Sequence, residues 1–208
     1  MARPRSPTYD DQRDEILRAA ARLFATRGYT AATMQQVAAA SGVGNPTLYH
    51  CVRDKHDLLA QIAAGQVARL EAVVADVAAL RLAPEAHLRE LIVRFVRAYA
   101  SAENAHRVLT EDVKFLGEAE RDAVVAAQRR VVAAFARAVG VLRPDLRPID
   151  GALALLLFGM INWTFTWLKA DGALTHETLA PIVADLYFGG LPAVRRQAAR
   201  ATKAALSA

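Results

Sequence analysis

Between Thr33 and Leu59 the chain reads TMQQVAAASGVGNPTLYHCVRDKHDLL. Its residues able to do chemistry carry short or aromatic hydrogen-bonding tips. Asn45, Thr47, Tyr49 and His50, with the ring of Pro46 among them, crowd into one short stretch. Amides and hydroxyls of this kind match the donor and acceptor edges of bases in a major groove, where apolar surface also meets thymine methyl groups. Thr33 and Lys55 stand where helices begin, and the backbone N–H groups and dipole of a helix start favour phosphate. Gln35, beside Thr33, joins the candidate contacts. Base reading and backbone positioning divide between these two sets.

Other chemistries find no constellation. His50 has no second ligand at helical spacing, and His87, His106 and His176 fit no zinc pattern. Glu111–Asp112 and Glu118–Glu120–Asp122 mimic catalytic acid pairs but read as solvated helix faces. No nucleophile–base motif and no phosphate-cradling glycine loop occurs. Cys51, three residues after Leu48, reads as a small core residue. It is the one cysteine in the chain, so a redox sensor would lack its resolving partner. A single thiol also fits a reducing, cytoplasmic setting. No enzyme, metal or cofactor is expected.

The elements that hold these residues must be helices. The 208 residues are 54% hydrophobic and 23% charged, a soluble globular balance with enough chain for a sizeable core. Ala, Leu, Arg and Glu dominate, and no apolar/polar alternation marks a strand, so the fold class is all-α. The run GALALLLFGMINWTFTWL, residues 151–168, lacks charge and reaches transmembrane length. Polar Asn162, Thr164 and Thr166 within it, and Asp150 and Lys169 at its ends, point instead to a helix buried among helices, with no membrane partner. The N-terminal MARPRSPTYDDQRDE has no apolar core and does not read as a secretory signal. The net charge of +5 lies at the two ends: residues 1–60 carry +2, residues 61–190 carry −1, and residues 191–208 carry four basic groups and no acid. A basic N-terminal part suits a polyanion.

Helical spacing predicts a first helix from Asp10, ended at Gly28. A second opens at Thr33 with a Thr-x-x-Gln capping box to Gln36 and ends at Ser41–Gly42. A third opens on GNP, with Asn45 as N-cap and Pro46 in the first helical position. Val37, Val43 and Leu48 bury into the crossing, Ala38 lets the backbones approach, and Gly42 supplies the positive φ of the turn. This is the layout of a helix-turn-helix. Asp54 caps a long fourth helix. Further helices follow over 84–101, 103–115, 118–139, 149–168 and 175–187, with LRPDLRP as a loop.

ILRAAARLFATRGYTAATMQQVAAASGVGNPTLYHCVRDKHDLL resembles the N-terminal DNA-binding region of the TetR family of bacterial transcription regulators. The matching elements are Ala20, Leu23 and Phe24 before Gly28, then Thr33, Val37–Ala38, Gly42–Val43, Thr47–Leu48–Tyr49, and Lys55 with Leu58–Leu59. The family often has Ser or a basic residue where Gly44 and Asn45 stand, and an aromatic residue or His at Cys51 and Val52. The resemblance implies an all-helical homodimer of nine or ten helices per chain. Residues 1–9 form a disordered arm, 10–55 the helix-turn-helix domain, and 56–208 a ligand-binding and dimerisation domain with a basic tail. The eighth and ninth helices form the dimer seam, and two recognition helices meet a near-palindromic double-stranded operator.

LLFGMINWTFTWLKADGALTHETLAPIVADLYFGGL resembles the corresponding segment of TetR-family regulators of fatty-acid, sterol or aromatic-acid breakdown, several of which respond to acyl-CoA thioesters. A repressor of a catabolic pathway, released by an acyl- or aryl-CoA, is implied. Phe95, Tyr99, Phe115, Phe158, Met160 and Trp163 can line an apolar cavity between helices. Asn162, polar in an apolar helix, needs a partner: a ligand carbonyl or a neighbouring backbone. Arg94, Arg97, Arg129 and Arg130 can meet CoA phosphates at its mouth. Trp163 and Trp167, four apart, face either the core or dimer seam or the pocket. The alternative is a small helical ligand-binding module or enzyme that has lost DNA binding.

Overall fold

The computed structural model describes residues 7–168 and 172–195, and every regular element among them is helical. The expected arm over residues 1–6, the basic tail from residue 196 and Lys169 lie outside the described residues. Ten α-helices follow in chain order: α1 Pro7–Arg27, α2 Met34–Ser41, α3 Asn45–Cys51, α4 Lys55–Ala79, α5 Pro84–Ser101, α6 Glu103–Glu111, α7 Glu118–Leu142, α8 Asp150–Ile161, α9 Thr164–Trp167 and α10 His176–Gly190. Short 3-10 turns occupy Val113–Phe115, Pro144–Ile149 and Leu191–Ala193. The first helix therefore starts at Pro7, ahead of Asp10. Pro7–Tyr9 belong to it and not to an arm, because proline is tolerated in a first helical turn.

The chain forms two compact units. The first comprises residues up to Asp76 together with Arg97–Val131, and the second Val77–Val96 together with residues from Val132 on. In the first unit α1 packs on α2 and on α6. Ile16, Ala20, Phe24, Val37, Leu48, Leu58 and Leu59 form its fully buried core at the motif end. In the second unit Phe95, Phe135 and Phe158 meet edge to face, with ring centroids 4.8 to 6.0 Å apart. The expected helix 149–168 is divided. Continuous α-helix stops at Ile161, and the Thr164 hydroxyl donates to the Ile161 carbonyl at 2.9 Å, closing the break. β-Branched Thr164 and Thr166 lower helix propensity there. At about 18 Å, the twelve residues of α8 fall well short of the roughly 30 Å of a bilayer core. Two stretches, Lys55–Ala79 and Pro144–Trp167, have the length and apolarity of a span by composition. The second of these is this interrupted one.

Candidate nucleic-acid interface

Local rules build the motif. The Thr33 hydroxyl accepts the Gln36 N–H at 3.2 Å, and the Gln36 side chain accepts the Thr33 N–H at 3.1 Å, so the capping box forms. Gly42 sits at φ 68°, and the Val43 N–H reaches back to the Ala38 carbonyl at 3.2 Å, turning the chain toward α3. Val37, Ala38 and Leu48 are buried in the crossing, and Val43 is half-buried.

One cap differs from expectation. Gly44, not Asn45, is the N-cap of α3: its carbonyl accepts the Leu48 N–H at 3.1 Å, and no side chain caps the end. A backbone already extended at Gly44 starts the helix one residue earlier. The Asn45 amide is thereby released from capping and stands exposed with Pro46. Tyr49, one turn on, is 55% exposed, and His50 is exposed with its ring edge-on to Tyr9 at 5.9 Å. Thr47 is half-buried, as is Cys51. The outward side of α3 is thus a short polar and aromatic surface held by buried Leu48. Gln35 and Thr33 are exposed at the start of α2.

Lys55 has a different task from the expected phosphate contact. Its ammonium donates to the carbonyls of Tyr29, Thr30 and Ala32 at 3.0, 3.1 and 3.0 Å and lies 4.7 Å from the Tyr29 ring centroid. Three N–H groups are matched to three acceptors, so the side chain fastens the α1–α2 loop to the start of α4. The dipole of α4 is also already occupied. The Asp54 carboxylate accepts the Asp57 N–H at 2.8 Å, and Asp57 accepts the Arg53 N–H at 2.9 Å. Partial burial pushes the Asp57 carboxyl up, but hydrogen bonds from the Arg53 amide, the Gln61 side chain and the Arg53 guanidinium outweigh it and hold the group below its usual value. Burial, with the charges of Asp54 and Asp112, pushes the Tyr29 hydroxyl up, so it stays neutral.

Sequence reasoning missed Arg53. It lies between α3 and α4 with its side chain 80% exposed and its guanidinium 3.5 Å from the Asp57 carboxylate. The Arg–x3–Asp spacing was its only signal. A second missed group ties the α6–α7 turn to α4: His56 Nε2 accepts the Gly117 N–H at 3.0 Å, with Glu120 Oε2 at 3.4 Å.

The expected effector residues divide. Tyr99 and Phe115 belong to the first unit, the other five to the second. Phe115 stacks on Tyr29 at 5.1 Å, beside the loop that Lys55 holds. Tyr99 stacks on buried His106 at 3.7 Å, and burial pushes its hydroxyl up. Phe95 and Phe158 are brought together in the buried aromatic cluster. Met160 and Trp163 face outward at 39% and 51% exposure, and Trp167 does the same. Asn162 is half-buried. Of the arginines, Arg94 pairs with Glu90 at 2.6 Å and Arg130 with Glu71 at 2.7 Å, while Arg97 and Arg129 are exposed. An apolar groove of 230 Å³ runs between α4 and α7 in the first unit, walled by Ala60, Ala64, Val67 and Ala68 on one side and Ala123, Val124 and Ala127 on the other. None of the expected effector residues lines it.

With this geometry in place, comparison with known proteins is direct. Residues 16–62 match the model of bacterial regulatory proteins of the tetR family, and residues 81–191 match that of the tetracyclin repressor-like C-terminal domain. The chain is 27% identical over 185 residues to the HTH-type transcriptional repressor KstR2 of Rhodococcus jostii (strain RHA1), covering 86% of this chain and 91% of that one. A TetR-family transcriptional regulator from Bordetella parapertussis 12822 superposes with a TM-score of 0.80 at 31% identity, covering 88% of this chain and 97% of the other. AibR, solved in complex with isovaleryl coenzyme A and operator DNA, superposes with a TM-score of 0.72 at 26% identity, covering 84% and 97%.

Proposed function

The chain belongs to the TetR family of bacterial regulatory proteins, and from that premise we propose that it is a ligand-responsive repressor that binds a near-palindromic operator as a homodimer. It is a TetR-type transcriptional repressor, a DNA-binding protein and not an enzyme. The observation that carries the finer reading is the outward face of α3. Exposed Asn45, Tyr49 and His50 stand on a helix fixed by buried Leu48, and all three can reach base edges. The proposed partners of backbone phosphates are exposed Arg53 and the start of α2, where Thr33 and Gln35 are exposed.

One such helix per chain calls for a dimer, and the second unit carries a face suited to it. Leu155, Leu156 and Met160 of α8 are 59%, 67% and 39% exposed, and Ile182 and Leu186 of α10 are 43% and 65% exposed. Monomeric surfaces rarely leave such apolar stripes open. A four-helix bundle of α8 and α10 from two copies covers them. These are the eighth and ninth helices of the sequence reading, since α9 is a single turn.

The effector we propose is an acyl- or aryl-CoA thioester, with control of a catabolic pathway and a cytoplasmic location where the operator lies. Support comes from the likeness to AibR, whose complex contains isovaleryl coenzyme A. Exposed Arg97 and Arg129 are open to CoA phosphates. Effector binding shifts the population away from the DNA-competent state. An electrophoretic shift with the DNA upstream of its own gene, followed by thioesters and their free acids, tests this reading. Binding no better than to random DNA favours a module that has lost its operator, and release by free acids alone overturns the thioester.

A further inference from the structure

Three elements of the first unit meet beside the motif: the α1–α2 loop, the start of α4, and the turn between α6 and α7. Each is joined to the other two. Lys55, opening α4, donates to the Tyr29, Thr30 and Ala32 carbonyls of the loop at 3.0 to 3.1 Å. His56, the next residue, accepts the Gly117 N–H of the turn through Nε2 at 3.0 Å. Tyr29 of the loop stacks on Phe115 of the turn, with ring centroids 5.1 Å apart and planes 26° from parallel. Glu120 supports the His56 corner, since its Oε2 accepts the same Gly117 N–H at 3.2 Å and lies 3.4 Å from His56 Nε2. The loop corner is tied to the core, where Tyr29 meets buried Phe24 edge to face at 5.3 Å.

Two bodies joined at one short connection can rock about it. Only residues 52–54 separate α3 from α4, and they are such a connection. Three bodies joined pairwise cannot rock without breaking a contact. The ties to the α6–α7 turn are not what folds the motif, because Val37, Ala38 and Leu48 already bury its crossing. Phe115 is 37% exposed and the His56 side chain 39% exposed. Contacts so open to water contribute little stability. What they restrict is an angle.

We propose that His56 and Phe115 are positioning residues that fix the angle of the motif and so make the dimer selective for the spacing of operator half-sites. This rests on the reading of the chain as an operator-binding dimer. One base pair added between half-sites moves them about 3.4 Å apart and turns one relative to the other by about 35° around the duplex. A braced motif does not follow that turn, and one α3 meets its groove out of line. A motif free to rock about residues 52–54 follows part of it. Loss of the brace therefore replaces discrimination by tolerance, whereas loss of a base contact weakens binding at every spacing alike.

The test takes the full chain and the upstream DNA site that it protects, beside duplexes with one base pair inserted or removed at the dyad. Affinities are read by fluorescence anisotropy well below the melting temperature of every variant. Wild type is expected to bind the altered duplexes about tenfold or more weakly than the unaltered one. His56→Leu, which offers the Gly117 N–H no acceptor, and Phe115→Ala should each bring that ratio to about threefold or less, with melting temperatures within about 3 °C of wild type. His56→Gln, whose amide oxygen can take the place of Nε2, should restore the wild-type ratio. A ratio unchanged in both His56→Leu and Phe115→Ala overturns the brace, as does a wild type that binds every spacing alike. Failure of His56→Gln to restore the ratio overturns the acceptor role of His56. A wild type that protects no upstream site overturns the operator reading itself, and the spacing role with it.

Discussion

Replacing Lys55 separates two physical roles that look alike in sequence. If Lys55 touched DNA, Lys55→Ala would remove one phosphate contact, lowering the salt slope of log K by about 0.9 with little change in stability. The geometry calls for the opposite. Three charge-assisted hydrogen bonds at 3.0 to 3.1 Å hold the carbonyls of Tyr29, Thr30 and Ala32, with the Tyr29 ring 4.7 Å from the ammonium. Hydrogen bonds to charged groups contribute about 1.5–3 kcal/mol each before offsets. Much of that is offset, because the half-buried ammonium regains water once freed and Thr30 lies at the surface. The cation–π contact adds about 0.5–1 kcal/mol. A net loss of about 2–3 kcal/mol follows, which for a chain of this size lowers the melting temperature by roughly 5–10 °C. Lys55→Arg should recover only part of it, since a planar fork does not meet three carbonyls as a tetrahedral ammonium does. Thermal unfolding and salt-dependent anisotropy on the same preparation decide the matter. Unchanged stability with a salt slope reduced by about one contact would refute the fastening role.

Asp57→Asn should destabilise by about 1 kcal/mol at neutral pH through the lost cap. Folding lowers the Asp57 carboxyl below its ordinary 3.8, so its stabilisation is present above that value and lost as pH falls through the folded one; the variant and wild type should converge in acid denaturation. Gly42→Ala should cost about 1–2 kcal/mol from the left-handed φ of 68° alone, because a Cβ there meets nothing within 4 Å; a neutral variant in urea titration contradicts this. Leu156→Glu, on the outward side of α8, should give a folded monomer by light scattering, where wild type should give the proposed dimer; a dimeric variant places the seam elsewhere. Tyr49→Ala should weaken operator binding about tenfold with an unchanged melting temperature; matched loss of stability would make Tyr49 a packing residue.

The features legible in the sequence were those set by near neighbours. The Thr33–Gln36 box, the turn at Gly42 and the Asp54 cap of α4 each depend on residues within five positions, and the letters carry them. The role of Lys55 was hidden because its partners are backbone carbonyls more than twenty residues away, and a carbonyl leaves no mark in the amino-acid type. The Phe115–Tyr29 stack was hidden for the same reason of distance. On α8 the difficulty was different. A helix apolar on every side has no face to read, so adjacent Leu156 and Leu157 look alike, yet one is 67% exposed and the other fully buried. At Asn45, good cap chemistry was outcompeted by the extended backbone of Gly44, and this freed the amide for the outer surface.

The most direct test is footprinting of the DNA upstream of the protein's own gene, with wild type and Tyr49→Ala side by side. Wild type should protect two half-sites related by a dyad and separated by about one helical turn or a multiple of it, and the variant should protect neither at the same concentration. Protection that follows no dyad, or that Tyr49→Ala leaves unchanged, contradicts operator recognition through α3.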